Sequence, residues 1–120
     1  MIKNFKTDNE YDYLLDIYTI TVKENFKFGK SLELEEGVIL DFDENDVPIS
    51  IEILDISKRL GVKKSILKSA DANMRIICNK DILEVKINFI YTIHEKEFNG
   101  IIDSKIANNY DLPQMDMATA

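Results

Sequence analysis

The sequence is poor in the residues that carry most enzyme chemistry. It has one cysteine, one histidine and no tryptophan among its 120 residues. A single cysteine excludes an internal disulfide, and the apolar setting of Cys78 in "MRIICNK" predicts a thiol in the core. His94 stands in a predicted exposed turn with no partner to activate it. Because nucleophilic and acid–base catalysis need an activated side chain, the sequence does not indicate an enzyme.

Long apolar runs are missing as well. No stretch approaches the ~18 consecutive apolar residues of a membrane helix. The start, "MIKNFKTDNEYDYLL", lacks the apolar core of a secretory signal. These two absences predict a cytoplasmic protein with no membrane partner. The chain length fits one domain, because no linker, repeat or low-complexity segment divides it.

What the chain has in excess is negative charge, and that charge is unevenly placed. It carries 22 acidic and 15 basic residues, a net charge of −7. Residues 1–62 hold 14 acids and 7 bases, whereas residues 63–120 hold 8 of each. A negative field repels phosphate groups, so nucleic acid is not an expected partner, while basic proteins and hard cations are favoured.

A local basic run interrupts this acidity. It is typical of a solvated helix face, and it can also form a positive patch that meets an acidic patch on a second copy or on a partner. The sequence leaves both interpretations open. The residues of the run are Lys58, Arg59, Lys63, Lys64 and Lys68.

Alternating apolar and polar residues predict a β-sheet. Asp55 and Gly61 are expected to bound a short helix at 56–60. Whether residues 62–73 are helical is left open. Residues 103–110 are predicted to form one or two helical turns. Short turns can join every consecutive strand pair. The predicted fold is therefore α+β: a single mainly antiparallel sheet of about six or seven strands, with one or two short helices packed on one face. The predicted strands are 14–22, 31–35, 38–43, 47–54, 74–78, 83–93 and 98–102.

The predicted domain covers residues 1–111, with 112–120 as a C-terminal tail. The tail, "LPQMDMATA", is mildly apolar. Leu112, Met115 and Met117 are its predicted interaction residues, because an apolar terminal segment suits strand addition or docking into a groove.

Clustered carboxylates in "DFDENDVPISIE" predict either a solvated hairpin or a weak metal site. Asp41 and Asp43 share one strand face, and Glu52 is expected on the neighbouring strand. Carboxylate oxygens are the ligands that Ca²⁺ and Mg²⁺ prefer. An EF-hand loop is not indicated, because Asp46 occupies the position that needs glycine and strands replace the helices. No cofactor is expected beyond a weakly bound Ca²⁺ or Mg²⁺ in the second interpretation.

The first half of the chain also resembles a known family. The pattern "YDYLLDIYTITV", followed by "SLELEEGVILDFDENDVPISIEILDISKRL", resembles the family catalogued as domain of unknown function number 2283. The resemblance covers about residues 11–60, within a motif-bearing half at 11–62, and its most specific parts are 37–43 and 51–55. Asp46 and Ser50 replace two glycines that are usual in the family, which puts the turn type in doubt.

The resemblance implies a small α+β domain and brings no established chemistry. It also associates the chain with antitoxin-like partners of small toxins. The function expected from the sequence is a non-catalytic protein-interaction module, antitoxin-like or homodimeric, that binds a protein partner or itself. The alternative is an acidic domain that binds a divalent cation through the hairpin of residues 41–46, with Asp41, Asp43 and Glu52 as ligands.

Overall fold

The structure is a computed structural model that describes residues 2–119. Within these residues, ten strands and two short helices follow one another along the chain. The helices, α1 (Ile56–Leu60) and α2 (Lys64–Leu67), lie between the sixth and seventh strands. The strands are β1 (Lys3–Phe5), β2 (Thr7–Asp12), β3 (Ile17–Val22), β4 (Phe28–Glu35), β5 (Val38–Asp43), β6 (Pro48–Leu54), β7 (Asp71–Cys78), β8 (Ile82–Ile93), β9 (Lys96–Ala107) and β10 (Met115–Thr119).

The strands form two five-stranded sheets. The first has the order β2-β3-β6-β5-β4 and is antiparallel throughout. The second has the order β1-β10-β7-β8-β9, in which β1 and β10 are parallel. The prediction of a single sheet of six or seven strands is therefore wrong. The structure does agree with the predicted α+β class in its broad sense and with the prediction of one or two short helices. Alternation shows which face of a strand is buried, and it is the same whether a helix or a second sheet covers that face.

The inward faces of the two sheets share one hydrophobic core. Tyr18 on β3 packs edge-on against Phe89 on β8, with ring centroids 5.0 Å apart. The Tyr18 hydroxyl donates to the Ala70 carbonyl at 3.1 Å, which satisfies its polar end. Val38, Leu40 and Phe42 are fully buried, as their alternation on β5 predicts.

Helix α1 begins and ends where the sequence predicts. Gly61 follows its last residue in the left-handed conformation, with φ 68°, and its amide bonds back to the helix. The predicted cap is wrong, however, because the Asp55 side chain makes no capping hydrogen bond. Asp16 supplies the acceptor instead: its carboxylate lies 3.1 Å from the Ser57 amide nitrogen. Helix α2 lies in the segment that the sequence left open.

The predicted helical turns at 103–110 are also wrong. Strand β9 continues to Ala107 and pairs with β8 along its whole length, from Lys96 opposite Ile93 to Ala107 opposite Ile82. Ile102 and Ser104 are buried at alternate positions, so the strand periodicity persists there. The long strand β8 supplies the hydrogen bonds that extend β9 to Ala107, and the residues of 103–107 do not by themselves predict this pairing.

Strand β10 lies inside the second sheet, between β1 and β7. Met115 is opposite Cys78 and Ala118 is opposite Arg75. The described part of the segment expected to be a tail thus closes the gap between the first strand and the rest of the sheet. Neither helix in the described part of the chain is long and apolar enough to cross a membrane.

Candidate functional site

The turn between β2 and β3 exposes an apolar surface, hereafter the tip (residues 13–15). Tyr13, Leu14 and Leu15 are 44%, 86% and 65% exposed. Polar groups shape this turn: the Leu15 amide donates to the Asp12 carboxylate at 3.0 Å, and Asp16 adopts a left-handed backbone with φ 57°. The backbone is therefore held by its aspartates, while the leucines project from it without partners in the core.

A buried polar cluster anchors the tip to helix α1. The Asp16 carboxylate accepts from the Tyr11 hydroxyl at 2.7 Å, from the Ser57 hydroxyl at 2.6 Å and from the Ser57 amide at 3.1 Å. The Asp16 carbonyl accepts from the Ile56 amide at 3.2 Å. A buried carboxylate requires such donors, because burial removes its water. The chain on both sides of Asp16 is consequently fixed to the start of α1.

The protonation states of this cluster follow from its contacts. Burial by itself raises the pKa of the Asp16 carboxyl, but the hydrogen bonds from Ser57 and Tyr11 and the charge of Lys64 outweigh it, so the pKa lies below its usual value. Burial and the adjacent carboxylate raise the pKa of Tyr11. At neutral pH the cluster is one charged acceptor with hydroxyl donors. The cluster therefore has a structural role: its hydrogen bonds hold the tip to helix α1.

Two lysines stand beside the tip. The Lys64 ammonium lies 3.3 Å from the Tyr13 carbonyl oxygen and 5.6 Å from the centroid of its ring. The Lys68 ammonium lies 4.3 Å from the same centroid, within cation–π range. Arg59, from the same basic run, instead binds the Leu54 carbonyl. The tip is thus apolar at its end, with two lysines on one side and the exposed Asp12 carboxylate at its base.

A groove lies at the opposite end of the first sheet. Along β3 and β6, Ile17 is opposite Leu54 while Thr21 is opposite Ser50, so the start of β6 is remote from the tip. The β5–β6 turn there meets the segment that leads into β10, and the groove between them has a volume of about 320 Å³. We refer to this feature as the groove; its residues are Lys3, Asp46, Val47, Pro48, Pro113, Gln114, Met115, Asp116 and Met117.

The predicted interaction residues differ in their positions. Leu112 and Met117 are each 5% exposed and belong to the core. Met115 is partly exposed and lines the groove. The groove therefore brings the acidic hairpin together with the segment that carries Met115, although the sequence suggested them as separate sites.

The predicted cation ligands make hydrogen bonds within the hairpin. The Asp43 carboxylate accepts from the Asn45 amide at 2.8 Å and from the Val47 amide at 2.9 Å, which closes the turn. The Asp41 carboxylate accepts from the hydroxyls of two serines, Ser31 on β4 and Ser50 on β6.

Glu52 lies on β6 opposite Ile39 and Thr19, whereas Asp41 lies opposite Ser50. Asp46 forms an ion pair with Lys30, with 2.9 Å between the charged atoms. Among residues 2–119, no group of three or more His, Cys, Asp or Glu side chains is arranged to hold a metal ion.

Comparison with known proteins places this chain in a family. The family model described as "Protein of unknown function (DUF2283)" matches residues 9–57. The curated "Uncharacterized protein MJ0789" of Methanocaldococcus jannaschii is 34% identical over 96 residues, which cover 77% of this chain and 79% of that protein. The chain belongs to the DUF2283 family. The resemblance seen in the sequence is thereby confirmed, and no solved structure matches the chain.

The family match contains both the tip and its anchor. It runs from β2 to Ser57, and so it includes Tyr11 and Asp16 as well as the leucines. The tip was not predicted, because the residue pattern of 14–22 indicates one continuous strand, whereas β3 begins at Ile17. A signal was present: two leucines stand between Asp12 and Asp16, and aspartate favours turns.

Two residues considered for chemistry in this DUF2283-family chain lie where the sequence predicts. Cys78 is buried, and burial raises the pKa of its thiol. His94 is exposed in the β8–β9 turn, with a left-handed φ of 51°. Neither residue is placed to act as an activated nucleophile or base.

Proposed function

We propose that this DUF2283-family protein is a non-catalytic protein-interaction module that binds its partner through the tip. The exposure of Leu14 and Leu15 carries this proposal. Apolar residues clustered on a surface are typical of interaction sites. Burying a leucine that was exposed contributes about 1.5–3 kcal/mol, so a partner that covers both gains a useful share of its binding free energy.

The rigidity of the turn supports the same function. Asp16 is held by Tyr11 and Ser57, and the Leu15 amide is held by Asp12. A preorganised loop loses little conformational freedom on binding, and this loss is one of the main costs of association. The tip is therefore suited to insert into a partner without first being ordered.

The charge beside the tip indicates the chemistry of the partner. Lys64 and Lys68 lie against Tyr13, so a cleft with apolar walls and an acidic rim complements the tip. A protein offers such a cleft, whereas the net charge of −7 disfavours nucleic acid. Both an antitoxin-like complex and self-association are forms of this function.

The test uses a double variant of the tip, Leu14→Asp with Leu15→Asp. Its matched control is Ile101→Asp, because Ile101 is 71% exposed on β9, in the other sheet. Native chain is immobilised to capture a partner from an extract of the cells that produce it. The captured protein is then identified, purified and titrated against all three chains.

We expect the double variant to bind at least ~100-fold more weakly, which corresponds to about 2.7 kcal/mol, and the control to bind as the native chain does. All three chains should melt at similar temperatures, because the replaced side chains are exposed. Equal affinity of the double variant and the control for the purified partner would overturn the proposal.

A further inference from the structure

We propose that strand β9 pairs antiparallel with β9 of a second copy of this protein, about a two-fold axis at Ile101. The second sheets of the two copies then form one continuous sheet. This inference goes beyond the proposed function, because it uses the edge of the second sheet and leaves the tip free. It rests on an edge that is open and that matches itself in hydrogen bonding and in charge.

Strand β9 differs from the other strands that end a sheet within residues 2–119. Strand β1 is three residues long, β4 has two register shifts against β5, and β2 has Asp8, Glu10 and Asp12 at its exposed positions. Short length, bulges and repeated charge each discourage an edge strand from pairing with another chain. Strand β9 runs for twelve residues with no register shift against β8 and no proline. A long, regular edge of this kind readily accepts a further strand.

The backbone of β9 presents alternate residues to this edge. The β8–β9 turn is a two-residue hairpin with φ of 51° and 65°, and in such a hairpin the flanking pair, Lys96 and Ile93, exchanges hydrogen bonds. Beyond the other end of β9, the Asn108 amide donates to the Asp81 carbonyl at 2.9 Å, on the side of β8. Even-numbered residues of β9 therefore direct their N–H and C=O groups to β8. Odd-numbered residues from 97 to 105 direct theirs outward.

An antiparallel partner satisfies these outward groups only when odd-numbered residues lie opposite odd-numbered residues. With Ile101 opposite Ile101 of the second copy, this condition holds along the strand, and about ten backbone hydrogen bonds form. Side chains of opposite residues then share one face of the joined sheet. The opposite residues are Lys96 and Ile106, Glu97 and Lys105, Phe98 and Ser104, Asn99 and Asp103, and Gly100 and Ile102.

The charges on β9 support this register. Glu97, Asp103 and Lys105 form no ion pair within residues 2–119. In the pairing, Lys105 lies between Glu84 of its own β8 and Glu97 of the second copy. Asp103 lies beside Lys86 on β8 and opposite an asparagine of the second copy. No charged residue of β9 is therefore directly opposite a like charge, and the Glu97–Lys105 contact occurs twice.

Neighbouring registers lack this match. An axis at Gly100 places Glu97 opposite Asp103, so two carboxylates face each other on each side of the axis. An axis at Ile102 places Ile101 opposite Asp103, an apolar side chain against a charge. Like charges directly opposite each other destabilise a strand pair. The register about Ile101 is therefore favoured over both neighbours.

The layer beneath β9 leaves the edge open. Phe98 shares the inward face of the strand with Ser104, yet it is 44% exposed. The Glu35 carboxylate reaches this face from β4, where it accepts from the Ser104 hydroxyl and lies 3.7 Å from Arg59, so it adds no unpartnered charge. On the outward face, Ile101 is 71% exposed. Pairing covers both apolar side chains, which stabilises the dimer.

The first measurement is mass by sedimentation and light scattering, from micromolar to millimolar protein. It compares the native chain with Ile101→Asp and with the tip variant Leu14→Asp/Leu15→Asp, whose replaced residues are exposed in the other sheet. We expect the native chain and the tip variant to be dimers. Ile101→Asp places two carboxylates at the axis, so its dimer dissociation constant should rise at least ~100-fold. Melting curves verify that each variant is folded.

The second measurement tests the register by oxidation of cysteine variants. Opposite residues that exchange hydrogen bonds have Cα atoms about 5.5 Å apart, within disulfide range. Ile101→Cys should therefore form a covalent dimer by itself. Asn99→Cys and Asp103→Cys should cross-link to each other in a mixture but not to themselves, because identical positions are about 13 Å apart along the strands. The native Cys78 is buried and does not interfere.

The outcomes that overturn the inference are distinct from failure of the proposed function. A native chain that is monomeric at millimolar concentration overturns it, as does a dimer that survives in Ile101→Asp. Cross-linking of Asp103→Cys to itself in place of Ile101→Cys contradicts the register. Dimers lost in the tip variant but kept in Ile101→Asp would assign self-association to the tip, which overturns the inference and supports the proposed function. Ile101→Asp keeps its tip, so its affinity for a tip partner tests the proposed function separately.

Discussion

Asp16 combines three properties: its backbone is left-handed, its charge is buried, and its carboxylate accepts hydrogen bonds from three donors. Aspartate tolerates the left-handed region better than most residues, which lets the chain turn at the end of the tip. The donors replace the water that its carboxylate loses on burial. One side chain thus sets the turn and also supplies the acceptor at the start of α1.

Replacing Asp16 with alanine should lower the free energy of unfolding by about 2–4 kcal/mol. Tyr11 and Ser57 would lose their acceptor, and alanine is strained at φ 57°. Asp16→Asn should cost less, because asparagine keeps one acceptor oxygen and the turn preference. Urea denaturation measures both. A loss below ~0.5 kcal/mol for Asp16→Ala, the range of ordinary surface changes, would contradict this role.

Acid should destabilise the native chain more than the Asp16→Asn variant. The pKa of Asp16 is lowered in the folded state, so the unfolded chain binds more protons as the pH falls below ~5. The stabilisation is therefore complete above the unfolded pKa and is lost as the pH falls through the folded pKa. Unfolding free energies measured from pH 7 down to about pH 3 should converge for the two chains. Parallel curves would show that Asp16 contributes nothing to the acid response.

Divalent-cation binding by Asp41, Asp43 and Glu52 is the alternative function that the sequence suggests, and the contacts of Asp41 and Asp43 lead us to the opposite expectation. Hydroxyl and amide donors already occupy carboxylate oxygens of Asp41 and Asp43, so we expect millimolar Ca²⁺ or Mg²⁺ to leave the melting temperature unchanged. Bound cation at a hundredfold excess over its dissociation constant would instead add about 2.7 kcal/mol. Such a rise in the native chain, absent from Asp43→Asn, would establish the site.

At the scale of elements, β10 decides what the C-terminal segment does. It lies between two strands, so its backbone groups pair on both sides. Arg75 on β7 and Asp116 on β10 add an ion pair with 3.0 Å between the charged atoms. This arrangement buries Met117 in the core, although it also lines the groove, and leaves Met115 partly exposed there.

Met117→Ala should destabilise the fold by about 2–4 kcal/mol, because it opens a cavity beside buried neighbours. Met115→Ala, the matched control on the same strand, should cost about 1 kcal/mol, because Met115 is partly exposed. Urea denaturation compares the two variants. Equal losses would show that the two positions do not differ in burial as the structure has them.

At the scale of the whole molecule, the two sheets depend on each other through one core. Tyr18 of the first sheet packs against Phe89 of the second, and the buried residues form a single cluster. Without the other sheet, the apolar inward face of each sheet would be exposed to water. The two sheets are therefore expected to unfold together.

Circular dichroism and tyrosine fluorescence should report the same unfolding midpoint, as expected for a two-state transition. The chain has no tryptophan, so fluorescence comes from tyrosines such as the buried Tyr18. The comparison needs no variant, because both signals can be recorded over the same series of denaturant concentrations. Separate midpoints would mean that one sheet survives the loss of the other.

The features that the sequence predicts correctly are local. The buried face of β5 with Leu40, the end of α1 at Gly61 and the turn at His94 each depend on residues close in the chain. The helical turns at 103–110 and the cap of α1 were predicted wrongly because each depends on a distant partner: the end of β9 on the long strand β8, and Ser57 on a carboxylate 41 residues away. The tip was missed because its leucines satisfy a strand pattern that continues into β3.

The order of residues alone is enough to predict which strand faces are buried, where α1 lies, and that the chain belongs to the DUF2283 family. Three features become visible only in the folded molecule: the strands form two sheets, Asp16 binds Ser57, and the β5–β6 turn meets residues 113–117. The reason is physical. Alternation and turn preference are set by each residue and its neighbours, whereas strand pairing and grooves depend on how distant apolar faces pack together.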